Sequence, residues 1–277
     1  MIVWLALLAH AGTWEQVEAL RDDAAMVGAT VTERAHLQAF LTRVVGYAGT
    51  GRVPSDFDER CDELKLVCQR GVRVVTLHGA VNSGLGLVAV RLGRDVPPLA
   101  LVAPHGWFDL NTGRIVCDWF DQGYARVLII NTAHRFGGTE GERRRDADVA
   151  HRVDTAFQSM TIGATDGMSD ALVVEVHGFS KRHGEFSAVI SDGETLQPDV
   201  MVDRVSSAVV AVLGGEVRKG TEVPLLAATR NAQGRAVSGQ SRFIHLELSR
   251  DSRATLREDD AAATALIERI VDVAESR

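Results

Sequence analysis

From about residue 71 to the C-terminus the chain alternates short, wholly apolar runs with longer amphipathic stretches. Val72 to Leu77, Leu87 to Leu92 and Leu99 to Ala103 are aliphatic or β-branched runs. They are separated by Asn82-Ser83-Gly84 and by Gly93-Arg94-Asp95 with Pro97-Pro98, so they predict a hairpin or meander feeding a central sheet. Val127 to Ile130, Ala171 to Val174 and Arg242 to Ile244 read as further buried strands. Between them, Gly113 to Gly123, Asp146 to Met160 and Val200 to Leu213, stopped by Gly214-Gly215, have helical character. Ala261 to Ala274 is the closing helix, with Leu266, Ile267, Ile270, Val271 and Ala274 on its inner face. Strands alternating with helices predict an α/β domain over 71–277, built on a parallel or mixed sheet.

Residues 1–70 read differently, as a helical N-terminal segment that either covers a site as a lid or braces the sheet. Leu20, Ala24, Ala25 and Val27 form one apolar patch, and Ala35, Leu37, Phe40, Leu41, Val44 and Val45 form another at helical spacing. The glycines and proline between Ala48 and Ser55 mark a loop, and helical character resumes from Asp56 to Gln69. Residues 1–11 are apolar and end in Ala9-His10-Ala11, which fits a signal-peptide cleavage pattern, yet no Lys or Arg precedes the run. A short signal peptide and a buried first element are both open, and with them a cytoplasmic or an exported location. No other stretch is apolar for the roughly 18 residues of a membrane span.

Charge and cysteine content narrow the classes. Lys plus Arg is 30 against 37 for Asp plus Glu, a net charge of −7, which argues against a nucleic-acid binder. The basic run Arg143-Arg144-Arg145 is flanked by Glu140, Glu142, Asp146 and Asp148 and reads as a solvated helix face. The three cysteines, Cys61, Cys68 and Cys117, form no CxxC pair. On a continuous helix Cys61 and Cys68 would stand about 10 Å apart, too far to bridge. Free thiols are therefore expected, with a Cys61–Cys68 bridge only if that segment is not helical.

The chemistry gathers in three polar clusters, each at the end of an apolar run: Pro104-His105-Gly106-Trp107-Phe108-Asp109, Glu175-Val176-His177-Gly178 and His245-Leu246-Glu247. Strand ends at one sheet edge are where α/β proteins build their sites. His105 and Asp109 share one loop and can reach one metal ion; alternatively Asp109 caps the following helix. Glu175 and His177 alternate along a strand and face the same side, so Glu175 can be a ligand or can hold the far nitrogen of His177. Without a metal they would be a core histidine beside a buried ion pair. His245 and Glu247 likewise share a face, and Glu247 is placed either for general base chemistry or for a salt bridge to Arg250 or Arg253. Arg135, after the strand Val127 to Ile130, and Arg152 are candidates to hold a substrate carboxylate; a structural ion pair is the alternative for each. Gly84-Leu85-Gly86 lacks the dinucleotide pattern, and neither a G-x-S-x-G nor a Walker motif is present.

The order PHG…D, NTAHR, D…R…D…F, EVHGF and HLELSR, over roughly residues 99–257, resembles the N-formylglutamate amidohydrolase-like group, related in fold to the zinc carboxypeptidases. The resemblance implies a mixed central sheet flanked by helices, one Zn²⁺ held by His105 and His177, and Glu247 as base. It departs from the pattern in two places. Carboxypeptidases place an acidic ligand three residues after the first His, where Phe108 stands, and the late segment reads His-Leu-Glu rather than Gln-x-Glu. The third ligand is open between Asp109 and Glu175. The expected activity is zinc-dependent hydrolysis of an amide bond in an N-acyl amino acid or peptide that bears a carboxylate. Alternatives are a non-catalytic binder of such molecules on the same fold, or a secreted enzyme acting on cell-wall or polyglutamate peptides.

Overall fold

The computed structural model describes residues 12–21, 28–79, 85–137, 147–193, 199–237 and 242–276. Among them, nine strands form one mixed sheet: β1 Val67–Arg70, β2 Val74–His78, β3 Leu87–Arg91, β4 Leu99–Ala103, β5 Val127–Ile130, β6 Leu172–Gly178, β7 Ala188–Ser191, β8 Val217–Lys219 and β9 Arg242–Leu248. Their order is β1-β2-β3-β5-β4-β6-β9-β7-β8. Of the three runs expected to form a hairpin or meander, β2 and β3 pair antiparallel at this edge, whereas Leu99–Ala103 (β4) is a parallel strand of the centre; the third edge strand is β1, from a stretch expected to be helical. The centre, β5-β4-β6-β9, is parallel, so the C-terminal ends of these four strands open on one side.

Helices cover both faces: α1 Thr13–Ala19, α2 Val31–Ala48, α3 Phe57–Glu63, α4 Thr112–Asp121, α5 Ala156–Asp166, α6 Val200–Leu213, α7 Ala232–Val237, α8 Arg250–Glu258 and α9 Asp260–Glu275. Period-2 alternation decides which side chain meets which helix. Leu99, Leu101, Val174, Val176, Leu246 and Leu248 point to one face, under Trp119 and Phe120 of α4, Val205 and Val209 of α6, and Leu266 and Ile270 of α9. Ala100, Val102, Val173 and Phe243 point to the other, under Leu37, Phe40, Leu41 and Val44 of α2 and Phe157 and Met160 of α5. The N-terminal helix α2 thus braces the sheet, packing on Val75, Leu77, Val88 and Val90 as well.

Several local expectations change. The Asp56–Gln69 stretch is not one helix: α3 ends at Glu63, Lys65 turns with φ 54°, and Cys68 lies on β1. The turn brings the Cys61 and Cys68 Cα atoms to 6.3 Å, and the two are joined in a disulfide; Cys117 alone is free, and it is buried. Asp146–Met160 is not one helix either. A single 3₁₀ turn, Val149–His151, precedes α5, which starts at Ala156 under the Thr155 cap. The break has a cause: Asp148 is drawn out to ion pairs with His105, Arg135 and His151. Strands β7 and β8 and helices α7 and α8 were not read from the pattern. The signal-peptide question, the Asn82-Ser83-Gly84 turn, Ala24, Ala25 and Val27 of the first apolar patch, and the Arg143-Arg144-Arg145 run lie outside the described residues. No helix among the described residues is long and apolar enough to cross a membrane.

Closing so short a loop removes chain entropy from the unfolded state worth about 2 kcal/mol. Adding reductant is therefore expected to lower the thermal midpoint by a few degrees, and the double variant Cys61→Ala/Cys68→Ala should match the reduced protein. A midpoint unmoved by reductant, with both thiols titrating in the native protein, would contradict the bridge.

Candidate active site

The site is laid out by strand register. In β6 and β9, paired in parallel, Glu175 is opposite His245 and His177 opposite Glu247. These four side chains form a square on one face of the sheet. The same face is apolar one rung earlier, at Val173 and Phe243, and Val102 of β4 stands level with Glu175. Apolar side chains give way to ionisable ones over the last two rungs, at the end where the parallel strands open.

β4 delivers the remaining donors. After Ala103 and Pro104 the chain makes one helical turn, in which the Asp109 N–H donates to the His105 carbonyl at 2.9 Å. Side chains four apart on such a turn share a face, so Asp109 stands beside His105 while Phe108 is turned outward. An acidic residue at i+4 thus serves as well as one at i+3. Asn131, following β5, anchors the turn by donating to the Pro104 carbonyl at 3.0 Å. Gly106 is required by packing, because a Cβ there would fall 2.9 Å from Ile130 Cδ1.

Three donor atoms converge. His105 Nδ1 and His177 Nδ1 are 3.2 Å apart, and Asp109 Oδ2 is 3.5 Å from the first and 3.3 Å from the second. Ligand atoms at about 2.0–2.1 Å around a tetrahedral ion stand about 3.3–3.4 Å from one another, so the set fits Zn²⁺. Each imidazole is held from behind. His105 Nε2 donates to Asp148 Oδ1 at 2.8 Å, and His177 Nε2 donates to Glu175 Oε1 at 2.8 Å. This fixes the tautomers and turns both Nδ1 lone pairs inward, the arrangement expected of metal-binding histidines. Asn231 Nδ2 also donates to Glu175 Oε1, and Arg135 donates to Asp148 Oδ2 at 2.6 Å. Of the two carboxylates considered as third ligand, Asp109 faces both Nδ1 atoms, whereas Glu175 lies behind His177. Glu175, His177 and His245 form a second group within reach of one ion, but there Glu175 Oε1 is already shared by His177 and Asn231.

Burial sharpens the electrostatics. It pushes the Asp109 carboxyl up, but the two imidazoles beside it, His105 and His177, outweigh burial and hold the group far below the usual carboxylate range. Asp148 is held low in the same way, by His105, His151 and the Arg135 charge against its own burial. For His177, burial disfavours the cation, yet Asp109 and Glu175 carry its pKa up to about 10. His245, 4.6 Å from the His177 ring, is held neutral by burial and by the His177 charge. Burial raises Glu247 to about 7. Among the described residues, its Oε2 and the Nδ1 of His245 are buried with no hydrogen-bond partner.

The structure therefore brings His105, Asp109, His177 and Glu247 together. Arg135 reaches the site through Asp148, its guanidinium 5.4 Å from the Phe108 ring and 5.6 Å from Phe136. Arg152 pairs with Asp154 at 2.7 Å. Three contributors had not been singled out: Asp148, Asn231 and Arg253. Asp148 opens the D…R…D…F string but was read as part of a helix, and Asn231 lies in a stretch without periodicity. Arg253 had been considered only as a salt-bridge partner for Glu247.

No family model matches the chain, and no curated protein matches it. Among solved structures it resembles a bacteriophage poly-gamma-glutamate hydrolase, with a TM-score of 0.44 and 14% identity over 64% of this chain and 83% of that one. It also resembles the N-formylglutamate amidohydrolase from Ralstonia eutropha JMP134, at 0.44 and 13% over 68% of this chain and 94% of that one. The succinylglutamate desuccinylase from Chromobacterium violaceum is similar at 0.42 and 14%, over 86% and 74% respectively.

A raised carboxyl pKa has a definite sign in stability. Glu247 titrates near its ordinary 4.5 when unfolded and at about 7 when folded, so its contribution is intact below pH 4.5 and lost as pH rises through 7. In chelator-treated protein, Glu247→Gln should therefore gain stability over the parent between pH 5 and pH 8, seen as a widening gap in urea midpoints. A constant gap across that range would mean the carboxyl is not raised.

Proposed function

We propose that this chain is a zinc-dependent hydrolase of the amide bond in an N-acyl amino acid or peptide bearing a carboxylate. The observation that carries the reading is the triangle of His105 Nδ1, His177 Nδ1 and Asp109 Oδ2, with a carboxylate behind each imidazole. Two nitrogens and one oxygen are a donor set typical of catalytic zinc, which keeps a fourth position open. Bound there, Zn²⁺ supplies Lewis acidity, polarising the carbonyl and lowering the pKa of water.

The chain's own residues do the rest. Glu247 is next to His177 across the strand pair, and its Oε2 has no partner among the described residues. It takes the proton of the attacking water and returns it to the leaving nitrogen. Asp148 and Glu175 keep the two imidazoles in the tautomer that offers Nδ1. Arg135 holds Asp148 ionised and oriented, and Asn231 does the same for Glu175. His245 stays neutral and adds no competing charge beside His177. The substrate-carboxylate role weighed for Arg135 and Arg152 is not kept, because Asp148 and Asp154 hold their guanidinium groups. The Cys61–Cys68 bridge favours an oxidising compartment, hence the exported alternative.

Purified protein should carry about one zinc per chain by elemental analysis, and His177→Ala should lose it while keeping the native circular dichroism. Glu247→Gln should retain zinc yet lose about 100-fold or more of the turnover of N-acyl amino acids or short acylated peptides. Turnover that survives complete removal of zinc, or a Glu247→Gln variant as active as the parent, would rule the mechanism out.

A further inference from the structure

Arg253 is on the first turn of α8, just after β9. Its side chain folds back over Gly178, the residue that follows His177. A Cβ at position 178 would fall 1.7 Å from Arg253 Nη1 and 2.3 Å from Cζ, so only glycine admits the guanidinium here. Gly178 is itself part of the site, since its N–H donates to Asp109 Oδ2 at 3.1 Å. Arg253 is 5% exposed, and among the described residues its one hydrogen bond runs from Nη1 to the Leu248 carbonyl at 2.6 Å. Its Nε is buried with no partner among the described residues. The acidic groups that face it are Asp109 and Glu247, neither within ion-pair distance among the described contacts, and the like charge of Arg250 also acts on it.

A guanidinium carries five donors in a fixed fork, and a buried charge is costly unless it is paired. One neutral carbonyl does not satisfy such a group. Asp109 is already committed to Gly178 and to two imidazoles, and Glu247 is free of salt bridges to arginine. The other two arginines considered for substrate are bound to aspartates. We propose that Arg253 binds the carboxylate of the substrate in a forked pair, and so selects acylated amino acids and peptides with a free acid beside the scissile amide. The inference rests on the hydrolase reading for the word substrate, but the anion site itself can be tested without turnover.

The test is calorimetric binding of N-acetyl-L-alanine, N-acetyl-L-glutamate and N-acetyl-L-alanyl-L-alanine, each against its amide (for the glutamate, the α-amide), to the zinc-loaded Glu247→Gln protein. The acids should bind about tenfold or more tighter than the amides, as a charge-assisted pair requires. Arg253→Met should abolish that preference without changing zinc content, and Arg253→Lys should restore part of it. Gly178→Ala keeps the arginine but displaces its guanidinium, and should lose the preference too; it also stands in if Arg253→Met does not fold. An acid preference that survives both Arg253→Met and Gly178→Ala overturns the proposal, as does the absence of any acid preference in the starting protein. Equal weakening of acids and amides also overturns it, by assigning Arg253 a structural or oxyanion role. If the acid preference depends on Arg253 but the wild-type enzyme hydrolyses none of these compounds, the anion site stands and the hydrolase reading falls.

Discussion

Two imidazole nitrogens 3.2 Å apart inside a protein are the constraint around which this molecule is organised. Carboxylates hold the far nitrogen of each ring, so both near nitrogens offer lone pairs to the same point. Lone pairs at that distance repel unless a proton or a cation lies between them. In the chain alone, Asp109 and Glu175 raise the proton affinity of His177 well above that of an ordinary histidine despite its burial. The raised proton affinity of His177 and an anionic oxygen 3.3 Å away both favour positive charge at this point. On the proposed zinc reading, a divalent ion would supply that positive charge.

The rest of the fold serves to place the two rings. His105 follows β4 and His177 ends β6, and these strands are parallel neighbours, so their ends emerge side by side. A one-residue slip between β6 and β9 would turn His245 and Glu247 away from His177 to the opposite, aliphatic face. That face carries Val176, Leu246 and Leu248 under α6, α8 and α9, and burying a carboxylate there would be prohibitive. The apolar face thus enforces the register on which the polar face depends. The helices of the site face, α2 and α5, cover the apolar start of the strands and leave their polar ends to the loops.

What was legible in the sequence follows from these periodicities. Short uninterrupted apolar runs such as Leu99–Ala103 and Val127–Ile130 suit a central strand, buried on both faces. The alternation Glu175/His177 and His245/Glu247 fixed which side chains share a face before any contact was known. The turn after β4 was less readable, because a strand end gives no sign that the next five residues coil into one helical turn and bring Asp109 back beside His105. Asp148 was hidden for a related reason: its segment has helical composition, and only the pull of His105, Arg135 and His151 breaks it. The Cys61–Cys68 bridge was judged from helical spacing, and the left-handed turn at Lys65 that makes it possible needs contacts that spacing does not contain. Arg253 is separated from Glu247 by six positions and by a change from strand to helix, so no simple period links them.

These cases share a cause. Local pattern specifies which face of an element a residue occupies, whereas long-range charge decides where irregular segments go. The irregular segments here, 104–111, 131–135, 147–155 and 227–231, each contribute a polar group to the same few ångströms: Asp109, Arg135, Asp148 and Asn231. Each segment is tied to the sheet edge by a side-chain hydrogen bond, three of the four to a carboxylate. The loops are thus ordered by the site as much as the site is ordered by the loops. Removing a central charge such as Asp148 would release His105, Arg135 and the turn that carries it together, because one carboxylate is the shared partner of all three.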